Sequence, residues 1–519
     1  MSISVAARPQ VARTSRYGLT GARRRSVGAM VLVSALLLLG MAGSWSGPVE
    51  SMDEGIVLEY PQLMLHGEVP FRDFQSSYGT GAYLPLAAAY EVLGPSVTVE
   101  RAVGVAYRLA ALLAIVALLL PLGAGLATAG GSLAALGVVG TGGVPVAYAW
   151  YFALAGVLWG LWCARAAITE RRPRVAVLLW ILSGFLAGAA ASARPELGVA
   201  ALLSSSVLFL GAGRQAITTF AIGLVAGASP LVWNLVAAGW SSVWSYGVVA
   251  RMHQLPMSGY TFAAGAGYLL VVSATTLVLV VAAIRERRRI GATPLTRCWL
   301  ALALLSVLMV SQLLQRTDIT HFSFVAPVCL GLLPWAVLRG PRTRLARTAM
   351  PLLCAAMIGL TAAAASANKG YVVHNGGRSF AAPSAAAAAD QQRTLDWIDR
   401  HVAPGRRLFV GPADLTWAFY TPTELYFLTP ALRPSGFYLE LGPGDDTPLF
   451  TRGLIDSLHR ADVLLLDHLV LPDWRAQIPY ARAGSKAPNA VVRRNFRAAF
   501  KAGPYSVWLR RMPRRGRSA

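Results

Sequence analysis

The chain has 519 residues, of which 55% are hydrophobic and 14% charged, against roughly 25% charged in an ordinary soluble domain, which argues against a soluble enzyme. Its net charge of +23 would fit a nucleic-acid partner, but the charge is unevenly placed. Before residue 368 there are 26 Arg, no Lys and 12 carboxylates, and after it 21 basic and 12 acidic residues: a membrane protein's composition followed by a basic soluble domain's. No nucleic acid is expected as a partner. Cys163, Cys298, Cys329 and Cys354 all fall in apolar runs without paired spacing, so neither a disulfide framework nor a zinc cluster is indicated.

In chain order, residues 1–26 form a basic N-terminus. From 27 to 367 the chain repeats apolar runs of the length a bilayer needs, about 20 residues each. Eleven spans are read at 27–44, 103–126, 131–148, 150–168, 175–192, 196–211, 215–236, 262–284, 298–315, 321–338 and 349–367. Arg-rich segments resist export, and an odd count starting inside puts 20 of these 26 Arg on the cytoplasmic side and ten of the 12 carboxylates on the other. The first run, preceded by basic and ended by small residues, also has the makings of a cleaved signal peptide.

The first outer loop, 46–102, holds eight carboxylates. EGIVLEYPQLMLHG and TGAYLPLAAAYEVLG are too short to span and too apolar for a free loop, so they read as helices on the membrane interface. Between them VPFRDFQSSYGTG, carrying Arg72 and Asp73, reads as a turn. The other outer charges are Arg101 and Arg108, Arg194 and Glu196 in SARPELG, Arg251 and His253, and Arg316, Asp318 and His321 in QRTDITHF. Ionisable groups at membrane depth are costly, so these should line a cavity and partner one another or a charged ligand. Arg with a few carboxylates suits binding a phosphate and activating a hydroxyl.

From 368 to 519 the chain reads as a soluble domain. SFAAPSAAAAAD looks like a linker, QQRTLDWIDRHV an amphipathic helix, RRLFVGP and ADVLLLDH buried parallel strands, and SVWLRR another strand. The fold class is therefore an α-helical polytopic membrane protein of about eleven transmembrane helices with a C-terminal extracytoplasmic α/β domain. The aromatic run DLTWAFYTPTELYFLTP reads as core packing before glycan binding, and GPGDDTP as an acidic turn.

The stretch SMDEGIVLEYPQLMLHGEVPFRDFQSSYGTG resembles the first outer loop of GT-C superfamily glycosyltransferases, in the branch of the bacterial protein mannosyltransferases and aminoarabinose transferases. The acidic pair Asp53 and Glu54 follows the first span, and the G-x-x-P-[FY]-R-D-[FY] element runs from Gly67 to Phe74; Thr80 departs from a frequent Pro. RPELG and RTDITH resemble later outer motifs. The resemblance implies a plasma-membrane enzyme that transfers a sugar from a polyprenyl-phosphate donor to an acceptor hydroxyl of a glycan, lipid or protein on the extracytoplasmic face, with inversion. It implies Asp53 as general base, and Glu54, Arg72, Asp73, Arg101, Arg194, Arg316, Asp318 and His321 as substrate-binding candidates. No cofactor is assigned, and a divalent metal is left open. A lipid-linked glycan ligase or polymerase would share the outer Arg and His without needing the acidic pair; a transporter should show internal repeats, and none is visible.

Overall fold

The computed structural model describes residues 16–50, 52–140, 143–249, 258–315, 317–338, 343–416, 421–441, 448–468 and 484–511. Its helices in chain order are α1 (Arg16–Ala42), α2 (Asp53–Leu65), α3 (Leu84–Leu93), α4 (Val97–Leu119), α5 (Ala124–Val139), α6 (Ala149–Thr169), α7 (Pro173–Ala193), α8 (Pro195–Phe209), α9 (Arg214–Gly227) and α10 (Ser229–Ala238). Ser258–Ile290, Pro294–Gln315, Ile319–Val337 and Arg344–Ser366 complete the bundle.

Each of the eleven apolar runs contains a helix, but 131–148 is helical only to Val139 and 215–236 is split into the pair α9 and α10, bent by 48°. Among the described residues, eight helices are long and apolar enough to cross a membrane, and the bent pair makes nine. Helices α5 and α8 have 16 and 15 residues, fewer than the roughly 20 a bilayer core requires. The protein is a multi-pass membrane protein.

The first loop and the C-terminal domain meet at the same end of this bundle. The Val49 N–H donates to the Ala381 carbonyl at 2.9 Å, and the Gly370 N–H to the Ser46 carbonyl at 3.2 Å. The number of traverses between them is therefore even, and counting α1 makes the total odd.

Residues 53–65 and 84–93 do form helices, but α2 does not lie on an interface with one face free. Ten of its thirteen residues are buried, because the C-terminal domain covers it. The Thr423 hydroxyl donates to the Met52 carbonyl at 2.7 Å, and a side chain at Gly55 would collide with Thr423 and Glu424. Helix α3 keeps its outward apolar surface, with Val92 80% and Leu93 69% exposed, as a helix lying on lipid requires.

The C-terminal domain opens with a hairpin, β1 (Tyr371–Asn375) and β2 (Arg378–Ala382), closed by Gly376 and Gly377 at φ +54° and +76°. The stretch expected to be a linker is thus partly strand: two glycines at positive φ supply the tight turn that pairs it. Ser384 then caps the helix Ala385–His401 by accepting from the Ala387 N–H at 3.1 Å. A five-stranded sheet follows in the order β4 (Arg433–Pro434), β3 (Arg407–Pro412), β5 (Val463–Asp467), β7 (Tyr505–Arg510), β6 (Phe496–Ala502). Strands β3, β4 and β5 are parallel as RRLFVGP and ADVLLLDH suggested, whereas β7 runs antiparallel to β5. Helices Pro448–Arg460 and Ala487–Asn495 bury apolar side chains against one sheet face in a separate cluster with Phe409, Leu464 and Phe496.

Candidate functional site

The acidic pair heads α2, where carboxylates favour the N-terminal end of the helix dipole. Its two members face different surroundings. Glu54 is fully buried and takes two hydrogen bonds from Arg101, itself 2% exposed: Nε to Oε1 at 2.7 Å and Nη2 to Oε2 at 3.1 Å. Arg101 also donates to the carbonyls of Trp45 at 2.6 Å and Gly47 at 3.0 Å, and the Glu50 N–H donates to Glu54 at 2.8 Å. This network fixes the chain leaving α1 against the start of α4.

Asp53 is only partly buried and lies within electrostatic reach of the phenols of Tyr78 and Tyr148. Burial first, and then the Asp53 carboxylate, hold the Tyr78 hydroxyl well above the ordinary phenol range, while Arg194 pulls it down. One phenol therefore senses both Asp53 and Arg194. The turn bearing Tyr78 is seated by close backbone approach, since a side chain at Gly79 would strike the Ser192 carbonyl. Thr80 bonds the buried Asn234 of α10 through its hydroxyl.

Arg194 sits between α7 and α8, 4.6 Å from the Trp150 ring centroid and 5.6 Å from that of Tyr78, and pairs with Glu196. Its Nε is buried without a hydrogen-bond partner among the described residues. A guanidinium held over aromatic faces beside a carboxylate is the kind of group that can take an anionic ligand. Trp150 stacks on Phe324 at 5.2 Å, and His321 meets the Phe324 edge at 5.6 Å. Asp318 caps the helix Ile319–Val337, accepting from the His321 N–H at 2.8 Å and facing its Nδ1 at 3.0 Å. Tyr148, bonded to Glu50, meets Phe324 edge-on at 5.4 Å.

The candidates thus separate. Asp53, Arg194, His321 and Asp318 border one aromatic group of Tyr78, Tyr148, Trp150 and Phe324, whereas Glu54 and Arg101 are spent on each other. Arg72 and Asp73 pair at the surface at 2.7 Å, with side chains 49% and 32% exposed. Burial raises the Asp73 carboxyl, but the Arg72 guanidinium and the Val69 N–H outweigh it and leave the group below its usual range. Arg316 lies outside the described residues, as do Arg251, His253 and the two Asp of GPGDDTP. Among the described residues no three His, Cys, Asp or Glu side chains gather as a metal site needs, and no step below is routed through a metal.

Sequence reasoning missed the aromatic group and Glu50. Tyr148 and Glu50 are 98 positions apart, and nothing local in the sequence couples them. It also missed Glu440 of the C-terminal domain, which accepts a hydrogen bond from Ser77 beside Tyr78.

Beneath the C-terminal domain lies Glu59 of α2, 7% exposed. Burial raises its carboxyl from 4.5 to about 7, against the field of Arg378 and helped by Glu68. Because the folded value is the higher one, the stability gained by keeping this proton is fully present below about pH 4.5 and is lost as pH rises to about 7. The difference is about 3 kcal/mol. Thermal unfolding of the detergent-solubilised protein should therefore move to lower temperature between pH 5 and pH 8, and Glu59→Gln should flatten that trend. An unchanged pH slope in the variant would show that Glu59 is ionised in the folded protein.

Comparison with known proteins gives structural neighbours only: no family model matches the sequence, and no curated protein does. The chain resembles ArnT from Cupriavidus metallidurans bound to undecaprenyl phosphate, with TM-score 0.53 and 10% identity over 93% of this chain and 98% of that one. It also resembles the archaeal oligosaccharyltransferase AglB from Archaeoglobus fulgidus, in complex with an inhibitory peptide and a dolichol-phosphate, with TM-score 0.51 and 8% identity over 94% of this chain and 75% of that one. The chain shares its fold with these two proteins. At such identity the likeness concerns backbone architecture, so the roles of the site residues must be argued from this chain's own geometry.

Proposed function

We propose that this protein is a membrane glycosyltransferase that moves a sugar from a polyprenyl-phosphate donor to a hydroxyl of a glycan, lipid or protein on the extracytoplasmic face, with inversion. The observation that carries this reading is that a carboxylate, Asp53, and a guanidinium, Arg194, both act on Tyr78, with Arg194 lying 5.6 Å from the centre of its ring. Both structural neighbours named above were solved with a polyprenyl phosphate bound, which supports the same donor class.

In this reading the acceptor hydroxyl gives its proton to Asp53 as its oxygen bonds to the anomeric carbon. The bond from that carbon to the phosphate oxygen breaks on the opposite face, and the leaving polyprenyl phosphate takes the electron pair. Arg194, with His321 held by Asp318, stabilises the charge developing there. Glu54 and Arg101 act as positioning residues, and the Arg72 and Asp73 pair shapes the turn leading to Tyr78. Purified protein in lipid nanodiscs, given polyprenyl-phosphate sugars and extracted envelope acceptors, should release polyprenyl phosphate and glycosylated product. Absence of both across the common hexosyl and pentosyl donors would overturn the assignment.

The same reading has the N-terminus in the cytoplasm and the C-terminal domain outside, in the plasma membrane. Reporter fusions after Arg289 and after Lys369 should then report opposite sides. Both on one side would contradict the proposed orientation and the odd count.

A further inference from the structure

The C-terminal domain holds a cavity of about 410 Å³, a size typical of small-ligand sites. It opens where the parallel strands β3 and β5 end, at Pro412 and Asp467, and ligands of parallel sheets commonly bind outside such carboxyl ends. Its floor is a fixed polar constellation. The Asn489 amide donates to Asp414 Oδ1 at 2.7 Å and Thr416 Oγ1 at 2.9 Å, and accepts from the Leu415 N–H at 2.9 Å. One wall is Trp508, whose indole N–H donates to Ser506 Oγ at 3.0 Å; the same hydroxyl meets His468 Nε2 at 2.7 Å.

The rim is cationic. Lys486 and Arg493 line the cavity, both are exposed, and among the described residues neither has a carboxylate partner. Lys501 is close enough for its field to act on His468. The carboxylate facing them, Asp414, already accepts from Asn489 and from the Thr416 N–H at 3.1 Å. An aromatic wall with planar amide and carboxylate groups suits a sugar ring, and the excess of basic over acidic lining, Lys486 and Arg493 against Asp414, suits an acid group on it.

The cavity is tied in sequence to the contact with the membrane part. Thr416 lines it, and Thr423, seven residues on, bonds Met52 beside Asp53. Seven residues reach at most about 25 Å, a distance of several sugar units. We propose that this cavity is a binding site for an anionic glycan, carrying phosphate or carboxylate, that holds the acceptor chain while its end is presented at Asp53. Its role as acceptor holder rests on the proposed function; its ligand class does not.

The test uses full-length protein in nanodiscs and calorimetric titration with a poly(glycerol phosphate) oligomer, a polyglucuronate oligomer and a neutral dextran oligomer of equal length. At least one anionic oligomer should bind tenfold or more tighter than dextran, and which one binds separates phosphate from carboxylate recognition. The surface variant Lys486→Ala/Arg493→Ala should lose at least tenfold of that binding. With a substrate acceptor it should raise KM for acceptor and leave kcat and donor KM near wild type; Trp508→Ala should weaken both anionic and neutral binding. Equal binding of all three oligomers, or an unchanged double variant, would overturn the proposal. Anionic binding without any transfer by the wild-type protein would instead remove the proposed function and leave the binding site standing.

Discussion

Asp53→Asn should lower sugar transfer by at least about 10²-fold while membrane insertion and donor binding stay intact. A hydroxyl is a weak nucleophile at neutral pH, and a positioned general base contributes typically about 10² to 10⁴ in rate, which is about 3 to 5 kcal/mol of barrier. Asn keeps the size of the side chain and its place at the head of α2, so only basicity is removed. Asp53 fits the role through its surroundings: it is partly exposed and borders the aromatic group that Arg194 and His321 also border. Glu54 is sealed by Arg101, and Glu59 lies beneath the C-terminal domain. Asp73 is held by Arg72 and the Val69 N–H, whose bonds leave its carboxyl below the ordinary range and hence a poorer base. Asp73→Asn should accordingly keep most turnover. Near-normal transfer in Asp53→Asn with a folded but inactive Asp73→Asn would move the base to the turn.

The parts of the fold legible in the sequence were those set by one-dimensional patterns. Apolar runs between 27 and 367 had no alternative but helices, since a lipid-facing backbone must satisfy its own hydrogen bonds, and each run contains at least one. The strands RRLFVGP and ADVLLLDH were similarly plain, being short, wholly apolar and ended by turn residues. What the sequence concealed depends on pairing at a distance. The carboxylates Asp53 and Glu54 are neighbours with the same local pattern, and only the arrival of Arg101, 47 residues further along, makes one a buried strut. The burial of α2 was equally hidden, because the domain covering it begins some three hundred residues later. Trp150 and Phe324 lie in apolar runs where an aromatic reads as core, and nothing local distinguishes those that face Arg194 and His321.

Arg101→Met should be the most destabilising single change in the membrane part, by about 3 to 5 kcal/mol, the usual cost of leaving a buried charge without its partner. The substitution approximates the length of the side chain, so packing losses are modest, but the Glu54 carboxylate stays in a fully buried position with Glu100 close by. Three further acceptors lose a donor at once, the carbonyls of Trp45, Gly47 and Pro48, which loosens the segment that brings Asp53 to the site. Adding Glu54→Leu to Arg101→Met should restore much of the stability, because an apolar pair in place of a buried ion pair is often neutral. The same double variant should still transfer sugar slowly, since the carbonyls of Trp45, Gly47 and Pro48 then lack the donor that holds them. The readouts are the unfolding temperature in detergent and the donor and acceptor kinetics at a temperature where the variants are folded. A positioning role lowers kcat and spares donor affinity. If Arg101→Met instead unfolded like wild type and lost only its affinity for the polyprenyl-phosphate donor, the guanidinium would be contacting the phosphate, and Arg101 would rejoin Arg194 as a substrate-binding residue.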